Sequence, residues 1–229
     1  MPSPPKRRAL EPLAWLRRFR WRHGPTIWYD PAYRLPFTTL EAASGLEVRR
    51  AEQALWFLED KGRLPVEVLR RPPRIPYTAL ARVHGSTLLE SLSDANTLAR
   101  IFGVDRADIV VDEILNTIRL ATGATLAAAR EALATHGNAC NLLGGFHHAF
   151  PDKAGGLCPV NDIAVAVASL RADGFAGKVV VLDLDAHPPD GTAACLRGDP
   201  DAWIGSISGS DWGPLEGVDE TLLPGADDA

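Results

Sequence analysis

The stretch that most limits what this chain can fold into is Lys178-Val179-Val180-Val181-Leu182-Asp183-Leu184-Asp185-Ala186-His187. Val179 to Leu182 is an unbroken, β-branched apolar run, which suits a parallel strand buried on both faces. It predicts an α/β domain in three layers, a mostly parallel sheet with helices on both faces. Strand side chains alternate, so Asp183, Asp185 and His187 project to one side if the extended geometry continues. An open α/β sheet keeps its ligands at such carboxyl ends of strands. Two carboxylates and an imidazole there suit a borderline divalent metal such as zinc.

Taken alone, this stretch is also compatible with a strand that ends in a polar turn. A second stretch weighs against that bland reading. Behind the apolar run Cys140 to Leu143 comes Gly144-Gly145-Phe146-His147-His148-Ala149. Two adjacent histidines at a strand end are hard to explain as core packing. They make sense as a general base and its partner, each needing a carboxylate to fix its tautomer.

The 229 residues, 46% of them hydrophobic, can bury one sizeable core. A net charge of −5 gives no global reason to expect a nucleic-acid partner. Cys140, Cys158 and Cys195 are too few and too scattered for a disulfide framework and suit a reducing cytosol. No apolar run approaches the ~20 residues of a membrane span. The basic, proline-rich start lacks the apolar core of a secretory signal, so a cytoplasmic protein is expected.

Residues 1–23 form a basic-aromatic extension, with Lys6, Arg7, Arg8, Arg17, Arg18, Arg20 and Arg22 set among Trp15, Phe19 and Trp21. The α/β domain is expected over 24–229. Thr26 to Tyr29 predicts a first strand closed by Asp30-Pro31. Gly45 to Lys61 has helical periodicity through Leu46, Ala54, Leu55 and Leu58 and stops at Gly62. Pro65 to Pro76 is a proline-broken loop. Helices are further expected over Asp105 to Ala134, with a small-residue face from Gly123 to Ala129, and over Asn161 to Leu170. Ala202 to Ile207 predicts another strand, and Asp211 to Ala229 a loop.

The marks Gly-Gly-Phe-His-His-Ala, Gly-Leu-Cys-Pro-Val-Asn-Asp-Ile-Ala and Asp-Leu-Asp-Ala-His-x-x-Asp-Gly-Thr, in this order, resemble the zinc-dependent histone deacetylase family. That family includes the acetylpolyamine amidohydrolases and acetoin-utilisation proteins. The resemblance is strong over about residues 140–195 and looser from Thr26 to Leu133. It implies an arginase/deacetylase-like fold and hydrolysis of an acetyl or related short acyl group from an acylated lysine or polyamine-like amine. By the same resemblance Asp185 and His187 are two of three Zn2+ ligands. His147 and His148 form the base pair, oriented by Asp183 and Asp190. Gly156, Leu157 and Cys158 line an acyl-lysine channel, with Leu157 standing where the family usually has an aromatic. Asp183 and Ser206 belong to a structural K+ site, and the Val83-His84-Gly85 turn is a structural element.

Two departures from the family pattern stand out. Pro188-Pro189 replaces a polar residue plus glycine, removing two backbone donors just ahead of Asp190. The family's third ligand, an Asp on a later strand, and its Gly-Gly-Tyr turn have no counterpart in these residues. The expectation is therefore a deacetylase-like domain incomplete on its C-terminal side, and by itself a feeble deacylase. The competing readings are a catalytically inactive deacetylase-like fragment or binding module, and an arginase-like two-metal hydrolase. The latter fits the His-His pair poorly.

Overall fold

The computed structural model of the chain describes residues 25–37, 47–62 and 68–222. The basic-aromatic segment 1–23, the start of the helix expected from Gly45, the beginning of the loop at Pro65 and the tail after Leu222 lie outside these residues.

Six strands are described: β1 (Thr26–Trp28), β2 (Leu69–Arg70), β3 (Ala139–Asn141), β4 (Val179–Asp183), β5 (Ala202–Ser208) and β6 (Val218–Leu222). They form two three-stranded sheets, ordered β2-β1-β3 and β4-β5-β6. Every strand pair in them is parallel. The helices between are α1 (Arg50–Asp60), α2 (Tyr77–Leu80), α3 (Ser86–Ser91), α4 (Ala95–Phe102), α5 (Val111–Thr135), α6 (Asp162–Ala172) and α7 (Asp190–Leu196). Parallel strands need such crossovers, and the α/β reading of the sequence holds.

The long helix α5 is the spine. Its Ile114, Ile118 and Leu126 meet Val165 and Leu170 of α6 and Leu98 and Phe102 of α4 in the largest core cluster. On another side Leu120, Ala121 and Ala124 pack with Tyr33 and Leu143. Of the small-residue face expected from Gly123 to Ala129, Gly123, Ala124 and Ala128 are buried, and Ala127 and Ala129 are partly buried. Its end is a left-handed His136, φ 50°, whose N–H caps Ala132. A third cluster joins Val181 and Ile204 of the second sheet to Ala164 and Val167 of α6 and to Ala193 and Leu196 of α7.

That third cluster covers only one face of β4–β5. Val180 and Leu182 are 66% and 60% exposed, and Trp203 and Ile207 beside them are 45% and 39% exposed. The expected two-sided burial of Val179 to Leu182 is therefore corrected. Among the described residues no helix lies on the second face, and the run alternates between buried Val181 and exposed neighbours. The first helix is also less buried than its pattern implied. It seats Ala51, while Ala54 is exposed and Trp56 and Phe57 are 66% and 56% exposed.

Five elements are absent from the sequence reading: β2, which lies within the expected proline-broken loop, α2, α4, α7 and β6. β6 lies in the expected terminal loop, where Val-Asp-Glu-Thr-Leu carries too few apolar residues to signal a strand. Among the described residues it is the outer strand of its sheet, paired on one flank. α7 begins directly after Pro188-Pro189. Proline tolerates a helix start because its missing N–H is one the first turn leaves unpaired anyway.

Candidate active site

Strand β4 delivers Asp183 into the interior and then stops. Its carboxylate oxygen Oδ1 accepts the Asp185 N–H at 2.9 Å, and Asp185 Oδ1 in turn accepts the His187 N–H at 2.9 Å. Two successive side-chain turns of this kind replace the extended geometry assumed from the sequence. Asp183 is buried, whereas Asp185 and His187 stay on the surface of a cavity they line together with the histidine pair.

After β3 the chain turns through Gly144 and Gly145 and brings His147 and His148 to the same cavity, their ring centroids 4.0 Å apart. His147 Nδ1 lies 2.9 Å from Asp183 Oδ2, and His148 Nδ1 lies 2.7 Å from Asp190 Oδ1. An ionised carboxylate only accepts, so each Nδ1 carries the proton and each Nε2 is left with a lone pair. Burial alone would lower the His147 imidazole, but the Asp183 hydrogen bond and the charges of Asp183, Asp185 and Asp190 outweigh it and raise it. Burial likewise opposes ionisation of Asp183. The bonds from His147 and the Asp185 N–H, with the electrostatic influence of the neighbouring imidazoles, hold its carboxyl below the usual range.

Pro188-Pro189 leaves the Asp190 contact intact. The Asp190 N–H returns to the Pro188 carbonyl at 2.9 Å, and α7 starts with its carboxylate already turned to His148. The next residue must be glycine, because a Cβ on Gly191 would sit 2.5 Å from the His148 carbonyl carbon. The helix start is thus pressed against the backbone of the histidine pair.

The cavity has a volume of about 250 Å³ and is walled by Phe146, Gly156, Leu157 and Cys158 beside the histidines. Leu157 adopts φ 58° at the second central position of the tight turn from Gly155 to Cys158, a conformation that favours glycine. Its N–H is held by the Ile101 carbonyl at 2.9 Å. Burial pushes the Cys158 thiol up to about 12, so it is a wall and not a nucleophile. His84 is placed as a structural residue, 2% exposed, with Nδ1 on the Phe150 carbonyl and Nε2 accepting the Asn161 N–H.

Asp185 Oδ1 is 3.2 Å from His187 Nδ1 and 3.7 Å from His147 Nε2. Two donors on one tetrahedral zinc, each at about 2.0–2.1 Å, stand about 3.3 Å apart, so the Asp185–His187 pair fits one edge of such a site. Among the described residues no group of three His, Cys, Asp or Glu side chains is arranged to hold a metal. At the candidate structural cation site, Asp183 and Ser206 are register partners across β4 and β5. The Ser206 hydroxyl is buried without a hydrogen-bond partner, as an oxygen aimed at a cation would be.

Two residues escaped the sequence reading. Trp212 stacks on His148 at 5.3 Å between centroids and lies 5.5 Å from His187, roofing the site from the loop after β5. No periodic signal surrounds it. Asp162, seen in the sequence only as a helix start, contacts the histidine turn from 16 and 17 residues away.

Comparison with known proteins agrees with this layout. Residues 46–214 match the family model described as the histone deacetylase domain. Histone deacetylase 2 of Arabidopsis thaliana is 30% identical over 187 residues, 78% of this chain and 47% of that protein. The acetoin utilization protein AcuC of Staphylococcus xylosus is 32% identical over 158 residues, 66% of this chain and 41% of the relative. A crystal structure of an HDAC homolog complexed with SAHA superposes with a TM-score of 0.68 at 23% identity, over 88% of this chain and 59% of that one. The chain thus spans about half the length of the relatives it matches. The domain match takes in the histidine turn, β4 and α7 together, and the chain belongs to the histone deacetylase family.

Proposed function

We propose that this chain carries the base-bearing part of a zinc-dependent amide hydrolase, which removes acetyl or a similarly short acyl group from an acylated lysine or a polyamine-like amine. The observation that carries the reading is the tandem His147-His148, each Nδ1 tied to its own carboxylate, in a narrow cavity that also presents Asp185 and His187. A cavity of about 250 Å³ suits a short acyl group on a slender stem.

Asp185 and His187 would hold the zinc, with a further ligand from outside the described residues. When bound, zinc supplies Lewis acidity toward a carbonyl oxygen and toward water. Within the chain, the Nε2 of a histidine whose Nδ1–H is fixed takes a proton from the attacking water. The partner imidazole and the buried Asp183 stabilise the positive charge that results. That proton, carried on the same Nε2, then returns to the leaving amine, while Asp183 on His147 and Asp190 on His148 keep the pair oriented. Leu157, Phe146 and Trp212 keep the acyl stem in an apolar slot. Asp183 and Ser206 would hold a potassium ion, which fixes the end of β4 from which Asp185 is presented.

A second reading, a non-catalytic deacetylase-like module, draws support from one observation: no third ligand stands near Asp185 and His187 among the described residues. Turnover of a fluorogenic acetyl-lysine peptide with zinc in excess separates the two. The enzyme reading expects slow turnover that falls by about 10²–10⁴-fold in His148→Ala, the usual contribution of a general base. Turnover that is absent from the parent, or equal in parent and variant, overturns it in favour of the module.

A further inference from the structure

The N-terminus of α6 grips the histidine turn from both sides. Upstream of the pair, the Asp162 carboxylate accepts the Gly145 N–H at 3.1 Å, the Phe146 N–H at 2.7 Å and the Thr125 hydroxyl at 2.5 Å. Downstream, the side-chain amide of Asn161 donates to the Ala149 carbonyl at 3.2 Å and to the Thr192 hydroxyl at 3.0 Å. His147 and His148 lie between the two grips.

Asp162 and Asn161 are both 0% exposed, and burial pushes the Asp162 carboxyl up against the pull of its donors. A buried carboxylate is a costly choice of side chain. Two consecutive turn N–H groups, however, need two acceptor oxygens without a competing donor, and a carboxylate alone provides them. The fit is close: a Cβ on Gly144 would stand 2.5 Å from Asp162 Oδ2. Thr125 also accepts from Asn141 Nδ2 at 2.9 Å, and Asn141 Oδ1 accepts the Tyr33 hydroxyl at 2.9 Å. A continuous set of bonds therefore ties the turn to α5, β3 and the segment after β1.

We propose that Asp162 is the positioning residue for the paired histidines: by holding the Gly145 and Phe146 N–H groups it sets the direction in which His147 leaves the turn, and so the meeting of His147 Nδ1 with Asp183. This rests on the reading of His147 and His148 as the base pair. Asp162 touches no reacting atom. Its effect passes through the backbone immediately before His147, and its anchor, Thr125, comes from α5, the long helix that contributes to two of the core clusters.

The test is proton NMR of the full chain labelled with 15N-histidine, following the hydrogen-bonded Nδ1–H resonances, assigned by their loss in His147→Gln and His148→Gln. Asp162→Asn should lose the His147 resonance and keep that of His148, whose Asp190 is held through α7. Thr125→Val should broaden the His147 resonance, and Thr125→Ser, which keeps the hydroxyl, should restore it. Val165→Ala, a core change in the same helix, should lower the melting temperature while leaving that resonance in place. An unaltered His147 resonance in Asp162→Asn, or its equal loss in Val165→Ala, overturns the proposal. Should Asp162→Asn fail to fold, the threonine pair decides: a difference between Val and Ser supports the proposal, identical spectra overturn it. The readout needs neither turnover nor metal, so an inactive chain would defeat the proposed function and leave this inference standing.

Discussion

The two halves of the candidate site share a cavity but are built differently. The side chains of His147 and Asp183 are 7% and 8% exposed, whereas those of Asp185 and His187 are 53% and 52% exposed. The base half is fixed by the fold: two carboxylates, a helix start pressed on the backbone and the Asp162 grip. The backbone of the ligand half is tied by local turns and by the Gly209 and Ser210 N–H groups on the Ala186 carbonyl, whereas among the described residues the Asp185 carboxylate meets only the exposed His187 and the nearby His147 edge. The folded chain thus fixes the histidine pair and leaves the Asp185 and His187 side chains exposed; on the proposed zinc reading, metal binding would supply the order that this pair lacks.

The largest expected effect probes that contrast directly. Asp183→Ala leaves His147 buried beside no carboxylate of its own and should cost about 3–5 kcal/mol in urea unfolding. Asp185→Ala, at an exposed side chain whose partner His187 is equally exposed, should cost about 1 kcal/mol or less without metal. Equal losses would erase the distinction between the halves.

A smaller effect comes from His84, whose imidazole is held below its ordinary pKa by burial. Its unfolded form binds a proton more readily than its folded form, so its contribution to stability falls as pH drops below about 6.5. The difference in unfolding free energy between the parent and His84→Asn should therefore shrink on acidification, by at most about 1.4 kcal/mol per pH unit. A difference that is flat from pH 7 to pH 5 would show that His84 is not buried neutral.

A second contrast, between the two faces of β4–β5, predicts the smallest change. Leu182→Lys on the exposed face should shift stability by no more than about 0.5 kcal/mol, while Val181→Ala, with Val181 9% exposed, should cost about 1 kcal/mol or more. A loss above about 2 kcal/mol from Leu182→Lys would mean that the face is covered.

Much of this was legible in the sequence, for physical reasons that differ by element. The run Val179 to Leu182 named its strand because β-branched residues have few other uses in such a row. The same run misreported its burial, since a continuous apolar strand looks alike whether or not its second face is covered. Adjacent imidazoles at a strand end call for carboxylates, and the resemblance to the deacetylase family named Asp183 and Asp190 as those partners in advance. β6 was illegible, because an outer strand rich in acid lacks the alternation that marks a half-buried one. Asp162 and Trp212 were illegible as site residues because their contacts exist only after tertiary folding brings α6 and the loop after β5 to the cavity.

The most direct test of the central claim, that this cavity is half of a zinc centre, is metal analysis after mild chelation and zinc re-addition, run on the parent, Asp185→Ala and His187→Ala. The parent should retain zinc and each variant markedly less, with the fold of all three unchanged by circular dichroism. Equal zinc content in the three proteins would contradict it.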